Sequence, residues 1–120
     1  MKHYTGNPQT VMEEMITYGR TLTIKSNEYS QLCAEFAEKE RVYNIALVSE
    51  MVKLKGPPEN LASTACERRA KGDPHIAGLR YERDVSKGVM NACDKAMQNL
   101  RTVLNAHQSI LAWERKTAEL

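Results

Sequence analysis

The side chains best able to do chemistry in this chain are its cysteines and histidines, and their spacing argues against a metal site. Cys33, Cys66 and Cys93 include no CxxC pair, and Cys66 precedes His75 by nine residues. A structural zinc site needs four such ligands at workable spacing, and no further pair stands beside these two. We therefore predict no metal site, and we interpret His75 as a polar residue in the first turn of a helix.

Catalytic patterns are also missing from the sequence. Cys33 and Cys93 occupy apolar helical positions, whereas a nucleophilic thiolate needs a positive neighbour and a base. His107 lies between Leu104 and Leu111 on an apolar line, so it is either a pH-sensitive interface group or, as we favour, a hydrogen-bonded core histidine. No metalloprotease, phosphate-loop or EF-hand motif is present. We predict no catalytic residues, no cofactor and no enzyme activity.

Basic residues concentrate between positions 53 and 87, a stretch that contains eight basic and five acidic residues. Such a patch favours contact with a negatively charged partner, including the phosphates of a single-stranded nucleic acid. Its acidic neighbours and its single aromatic, Tyr81, favour instead a solvated loop. The residues predicted to contact a protein partner or nucleic acid are Arg68, Arg69, Arg80, Arg83 and Trp113.

The elements that position these residues are two long helices. Asn7 as a cap and Pro8 in the first turn predict a helix over residues 8–55. Apolar side chains then recur every seven residues at Met15, Leu22, Tyr29, Phe36 and Tyr43. A second set interleaves with them at Met12, Gly19, Ser26, Cys33, Leu47 and Leu54. Together the two sets predict a continuous apolar seam.

Gly56-Pro57-Pro58 must end this helix, because proline donates no backbone hydrogen bond and restricts the residue before it. The connector, 56–73, is either a loop or contains a short helix over 61–70 that Asn60 caps. Asp73 and Pro74 then predict the start of a helix over residues 74–118. Arg83 and Ser86 interrupt its apolar seam, so we expect the connector end to pack less well than the opposite end.

The stripe on the last helix is wider than a two-stranded seam requires, since Val89, Val103 and Ile110 lie beside it. Burying these side chains needs a further surface, which favours self-association. We predict one all-α domain over residues 1–120, a long antiparallel helical hairpin forming a coiled coil or helical bundle completed by oligomerisation. The predicted oligomer interface comprises Met15, Leu22, Phe36, Tyr43, Met90, Met97, Leu100, Leu104 and Leu111.

The composition of the chain indicates where in the cell the protein is found. The net charge is only +2, and no apolar run is long enough to span a bilayer. Residues 1–6 lack the apolar stretch of a signal peptide, and an odd number of cysteines without a CxxC pair favours reduced thiols. We predict a cytoplasmic protein of a bacterial host cell that is not associated with a membrane.

Three segments carry a resemblance to known proteins: Gly19-Arg20-Thr21-Leu22-Thr23-Ile24-Lys25, Leu79-Arg80-Tyr81-Glu82-Arg83-Asp84-Val85 and Gln108-Ser109-Ile110-Leu111. In these the chain resembles small helical proteins of phages and prophages of Gram-positive bacteria. The resemblance implies an accessory role inside the host cell.

We therefore predict a non-catalytic accessory or adaptor protein that binds a protein partner through helical surfaces. That partner would belong to DNA replication and recombination or to a host system being inhibited. The alternative function is single-strand nucleic-acid binding through the basic hairpin tip.

Overall fold

The computed structural model describes residues 7–118, which form three helices and no strand. Helix α1 spans Pro8–Lys55, α2 spans Ser63–Lys71 and α3 spans Pro74–Ala118. The predicted all-α class, with a long helix pair, is confirmed. None of the described helices carries an apolar stretch that could cross a membrane. The prediction that residues 1–6 contain no signal peptide lies outside the described residues.

The helix starts follow the sequence signals. The Asn7 side-chain oxygen accepts a hydrogen bond from the Gln9 backbone N–H at 3.1 Å. The Asp73 carboxylate accepts two, from the N–H groups of His75 at 2.9 Å and Ile76 at 3.2 Å. These bonds satisfy donors that the first turn of a helix leaves unpaired.

The connector differs from expectation at Asn60. This residue has a backbone φ of 52°, in the left-handed region that asparagine tolerates, so it forms a turn and does not cap α2. Its N–H donates to the Gly56 carbonyl at 3.0 Å. Ala62 occupies the cap position of α2 without a side-chain hydrogen bond. The short helix therefore begins two residues later and ends one residue later than predicted, with Gly72 closing it.

The chain divides into two compact units. The terminal unit joins α1 up to Tyr29 with α3 from Ala92 onward, and the hairpin unit is Ser30–Asn91. Within each unit α1 and α3 lie side by side and antiparallel. In the hairpin unit, Lys39 and Glu82 pair between the two helices at 3.5 Å.

The hairpin unit contains a contiguous buried cluster formed by Tyr43, Leu54, Cys66, Ala70 and Ile76. The expectation that this end packs less well than the opposite end is therefore wrong. Helix α2 contributes two members of the cluster and so supplies apolar surface that α1 and α3 lack there. The Arg83 guanidinium lies 4.4 Å from the centre of the Tyr43 ring, so a charged residue in the seam still covers the core.

In the terminal unit the buried side chains of the α1–α3 seam are Val11, Cys93, Met97 and His107. The Cys93 thiol lies 3.4 Å from the Lys25 carbonyl oxygen, as a donor to it. Val11 is fully buried whereas the predicted Met12 is exposed, and Lys25 is half-buried whereas Ser26 is exposed. At these positions the second set of seam residues thus lies one residue earlier than predicted.

We expect Asp73→Ala to lower the free energy of unfolding by about 1 kcal/mol, because it removes the acceptor for two backbone N–H groups. Urea denaturation followed by circular dichroism measures the change. Asp73→Asn keeps a side-chain acceptor and should stay within about 0.5 kcal/mol of the wild type. Equal losses in the two variants would show that the cap is not the cause.

Candidate interaction surfaces

The residues predicted to form an oligomer interface lie on the faces that α1 and α3 turn toward each other. Tyr43 and Met97 are buried within the single chain. The other seven are half-buried: Met15, Leu22, Phe36, Met90, Leu100, Leu104 and Leu111. Contact of these residues with a second chain stays a prediction.

The residues predicted for partner contact separate into two groups. Arg68 and Arg69 on α2 and Trp113 near the end of α3 are exposed, the last with 69% of its surface accessible. Arg80 is half-buried. Arg83 is used inside the chain, since it stacks on Tyr43 and its guanidinium pairs with Asp84 at 2.9 Å. Arg83 therefore serves the fold, and only the exposed members of the set are free to contact a partner.

A buried polar cluster crosses the seam of the terminal unit at His107. This residue is only 7% exposed. Its Nε2 lies 2.8 Å from Glu14 Oε2, and its Nδ1 lies 2.8 Å from the Val103 carbonyl oxygen. The Tyr18 ring packs edge-on against the imidazole at a centroid distance of 5.5 Å. The favoured interpretation of His107 as a hydrogen-bonded core histidine is confirmed.

The contacts of His107 with Glu14 and Val103 favour its protonated form. A carbonyl oxygen and an ionised carboxylate both accept hydrogen bonds, while a neutral imidazole carries only one N–H. The imidazolium satisfies both contacts at once. Accordingly the hydrogen bond to Glu14 raises the pKa of His107, although burial opposes this.

A groove runs between α1 and α3 in the hairpin unit, with a cavity volume of about 400 Å³. It is lined by Leu32, Glu35, Lys39, Tyr81, Glu82, Val85, Ser86 and Val89. The exposed fraction is 71% for Tyr81, 47% for Val85 and 48% for Val89, which recur at intervals of four along α3. We did not predict this groove, although that interval is a readable signal for an apolar helix face.

A second exposed apolar row lies on α1 of the hairpin unit. Ile45 and Val48 are each 57% exposed and Val52 is 67% exposed. They lie on the face of α1 opposite Tyr43 and Leu54, which pack into the core. Three large apolar side chains in one row on the outside of a helix form a candidate contact surface.

No three histidine, cysteine, aspartate or glutamate side chains converge as metal ligands within residues 7–118. Comparison of the chain with family models, curated proteins and solved structures found no match.

We expect the His107–Glu14 pair to make stability depend on pH. Because the folded-state pKa is raised, the pair stabilises the protein fully below the unfolded value of about 6.5, and this contribution is lost as pH rises through the folded pKa. Urea denaturation between about pH 5.5 and 8.5 should show the wild type losing stability relative to His107→Gln. Glu14→Gln should flatten the dependence, since a neutral amide can donate to a neutral imidazole. A constant difference between wild type and His107→Gln across this range would contradict the expectation.

Proposed function

We propose that this protein is a non-catalytic, phage-type accessory or adaptor protein that binds a protein partner through its helical surfaces. The partner belongs to the DNA replication and recombination machinery or to a host system that the protein inhibits. The observation that carries the proposal is the groove of the hairpin unit, where Tyr81, Val85 and Val89 are exposed.

The form of the groove suits a helical ligand. Two antiparallel helices form its walls, Leu32, Val85 and Val89 supply apolar surface, and the Lys39–Glu82 pair lies among the lining residues. Helix-in-groove recognition uses this combination, in which apolar side chains provide contact area and charges at the rim select orientation. A third helix laid along the groove would bury side chains that the isolated chain leaves in water.

Affinity capture from a Gram-positive host lysate, with nuclease added, tests this role of the groove. We expect the wild type to retain a stoichiometric protein partner and Val85→Glu/Val89→Glu to lose it, because each carboxylate would have to be desolvated in the groove. Both valines are about half exposed, so the variant should fold.

The matched control is Ile16→Glu/Ile24→Glu, which places the same two charges on exposed apolar positions of the terminal unit. It should retain the partner. Equal capture by all three proteins would exclude the groove as the binding surface, and recovery of nucleic acid in place of protein would support the alternative function.

The alternative is single-strand nucleic-acid binding by the basic hairpin tip. It is favoured by Arg68 and Arg69, which are exposed and have no ion-pair partner in the described part of the chain, whereas Lys71 pairs with Glu67 at 2.8 Å. Two free guanidinium groups on one short helix can each contact a phosphate.

Fluorescence anisotropy with a labelled single-stranded oligonucleotide tests the alternative. Binding through the tip should weaken steeply as salt rises, and Arg68→Glu/Arg69→Glu should abolish it. Arg115→Glu/Lys116→Glu makes the same charge change on exposed residues at the far end of α3 and should leave binding intact. No binding by the wild type at low salt would exclude this function.

A further inference from the structure

The exposed row on α1 extends beyond its three apolar members. Its positions are separated alternately by three and four residues: Glu38, Arg41, Ile45, Val48, Val52 and Lys55. This is the spacing of core positions in a coiled coil. All six side chains are exposed. The row, which we call the outer row, has an apolar centre and Lys55 at one end. At its other end Arg41 pairs with Glu38 of the same helix at 2.6 Å.

The outer row is separate from the faces that build the chain's own core. Tyr43 and Leu54 of the same helix segment belong to the buried cluster with α2 and α3, and the seam positions lie about half a turn away from the outer row. Helix α2 lies beside one edge of the outer row, where Val48, Val52 and Lys55 border a cavity with Ser63 and Cys66. Packing within the hairpin unit leaves the row itself exposed. An occupant must match an apolar centre, a basic end at Lys55 and an end where Glu38 and Arg41 pair with each other.

We propose that the occupant is a second copy of this chain, whose α1 packs antiparallel against the outer row with Ile45 opposite the partner's Val48. In this register Val52 lies opposite the partner's Arg41, whose aliphatic stem can pack against it. Lys55 then lies opposite the partner's Glu38, whose carboxylate it would share with Arg41 of that copy. Because the arrangement is twofold symmetric, each of these contacts occurs twice.

The charged residues favour this register over a parallel pairing and over a shifted antiparallel pairing. A parallel pairing would place Glu38, Arg41 and Lys55 each opposite its own copy, so that like charges meet at every polar layer. An antiparallel pairing with Val48 opposite Val48 would place Lys55 opposite Arg41. Of these registers, only the proposed one opposes lysine with glutamate, and like charges in close contact are the usual means by which coiled coils reject wrong pairings.

The end of α1 limits the contact. The helix stops at Lys55, and Pro57 and Pro58 follow. Overlap from residue 38 to residue 55 of both copies extends over roughly 26 Å at 1.5 Å per residue. The seam between α1 and α3 and the groove beside Val85 stay untouched by this contact. Dimer formation is therefore independent of partner binding in the groove, and a dimer would present two grooves.

Sedimentation equilibrium of the full chain across a concentration series measures the dimer. We expect a monomer–dimer equilibrium for the wild type and a dissociation constant about tenfold higher for Lys55→Glu, which turns two attractive contacts into repulsive ones and leaves the Glu38–Arg41 pair intact. The double variant Glu38→Lys/Lys55→Glu restores opposite charges and should return close to the wild-type constant. Val48→Asp should give a monomer, because the carboxylate would be desolvated at the centre.

Lys53→Glu is the matched control. It makes the same charge change two residues from Lys55, on a side of the helix that does not face the second copy, and should leave the constant unchanged. Circular dichroism establishes that each variant retains its helical content. A wild type that stays monomeric up to millimolar concentration, a double variant that fails to recover, or an equal effect of Lys53→Glu would each overturn the proposal.

Discussion

The side-by-side packing of α1 and α3 is the constraint on which the other features of this protein depend. A helix that contacts a single neighbour buries only the stripe that repeats every three or four residues, and the rest of its circumference faces water. Val11 and Cys93 of the terminal unit and Tyr43 and Ile76 of the hairpin unit occupy that stripe. Apolar residues elsewhere on the circumference, such as Val48, stay exposed because no other helix within residues 7–118 covers them.

Two polar residues, Arg83 and His107, lie in the seam between α1 and α3, and each is accommodated in a different way. Arg83 covers the Tyr43 ring with its guanidinium and pairs with Asp84, so its charge stays at the edge of the core. His107 instead is buried, and its hydrogen bond with Glu14 raises its pKa. The first arrangement keeps its charge at every ordinary pH, whereas the second links packing in the terminal unit to the protonation of one imidazole.

The hairpin unit combines a closed core with open outer surfaces. Helix α2 contributes Cys66 and Ala70 to the cluster, and this small addition buries one side of the α1–α3 pair. The groove beside Val85 and the outer row around Val48 remain on the uncovered sides. Each is apolar at its centre and has charged residues at its margins, a composition that protein contact surfaces share.

Much of the fold could be predicted from local signals, because helix starts and stops depend on neighbouring residues. Asn7, Asp73 and the prolines after Gly56 set the helix limits through hydrogen-bonding capacity and restricted φ angles. The register of the seam could not be assigned in this way. Val11 and Met12 lie four and three residues before Met15, and both spacings suit a helical stripe equally well. Only the neighbouring helix distinguishes them, because it covers one side of the stripe.

The sequence alone determined the helical class, the two long helices and the connector between them, since these follow from periodicity and from proline and capping chemistry within a few residues. The tertiary structure decided which side chains remain free. Arg83 and Arg69 are alike as sequence, yet one lies over a tyrosine and the other is exposed. That difference depends on residues forty positions away in the chain that packing brings together. The candidate contact surfaces consist of the side chains that helix packing leaves exposed, so the local sequence pattern could not identify them.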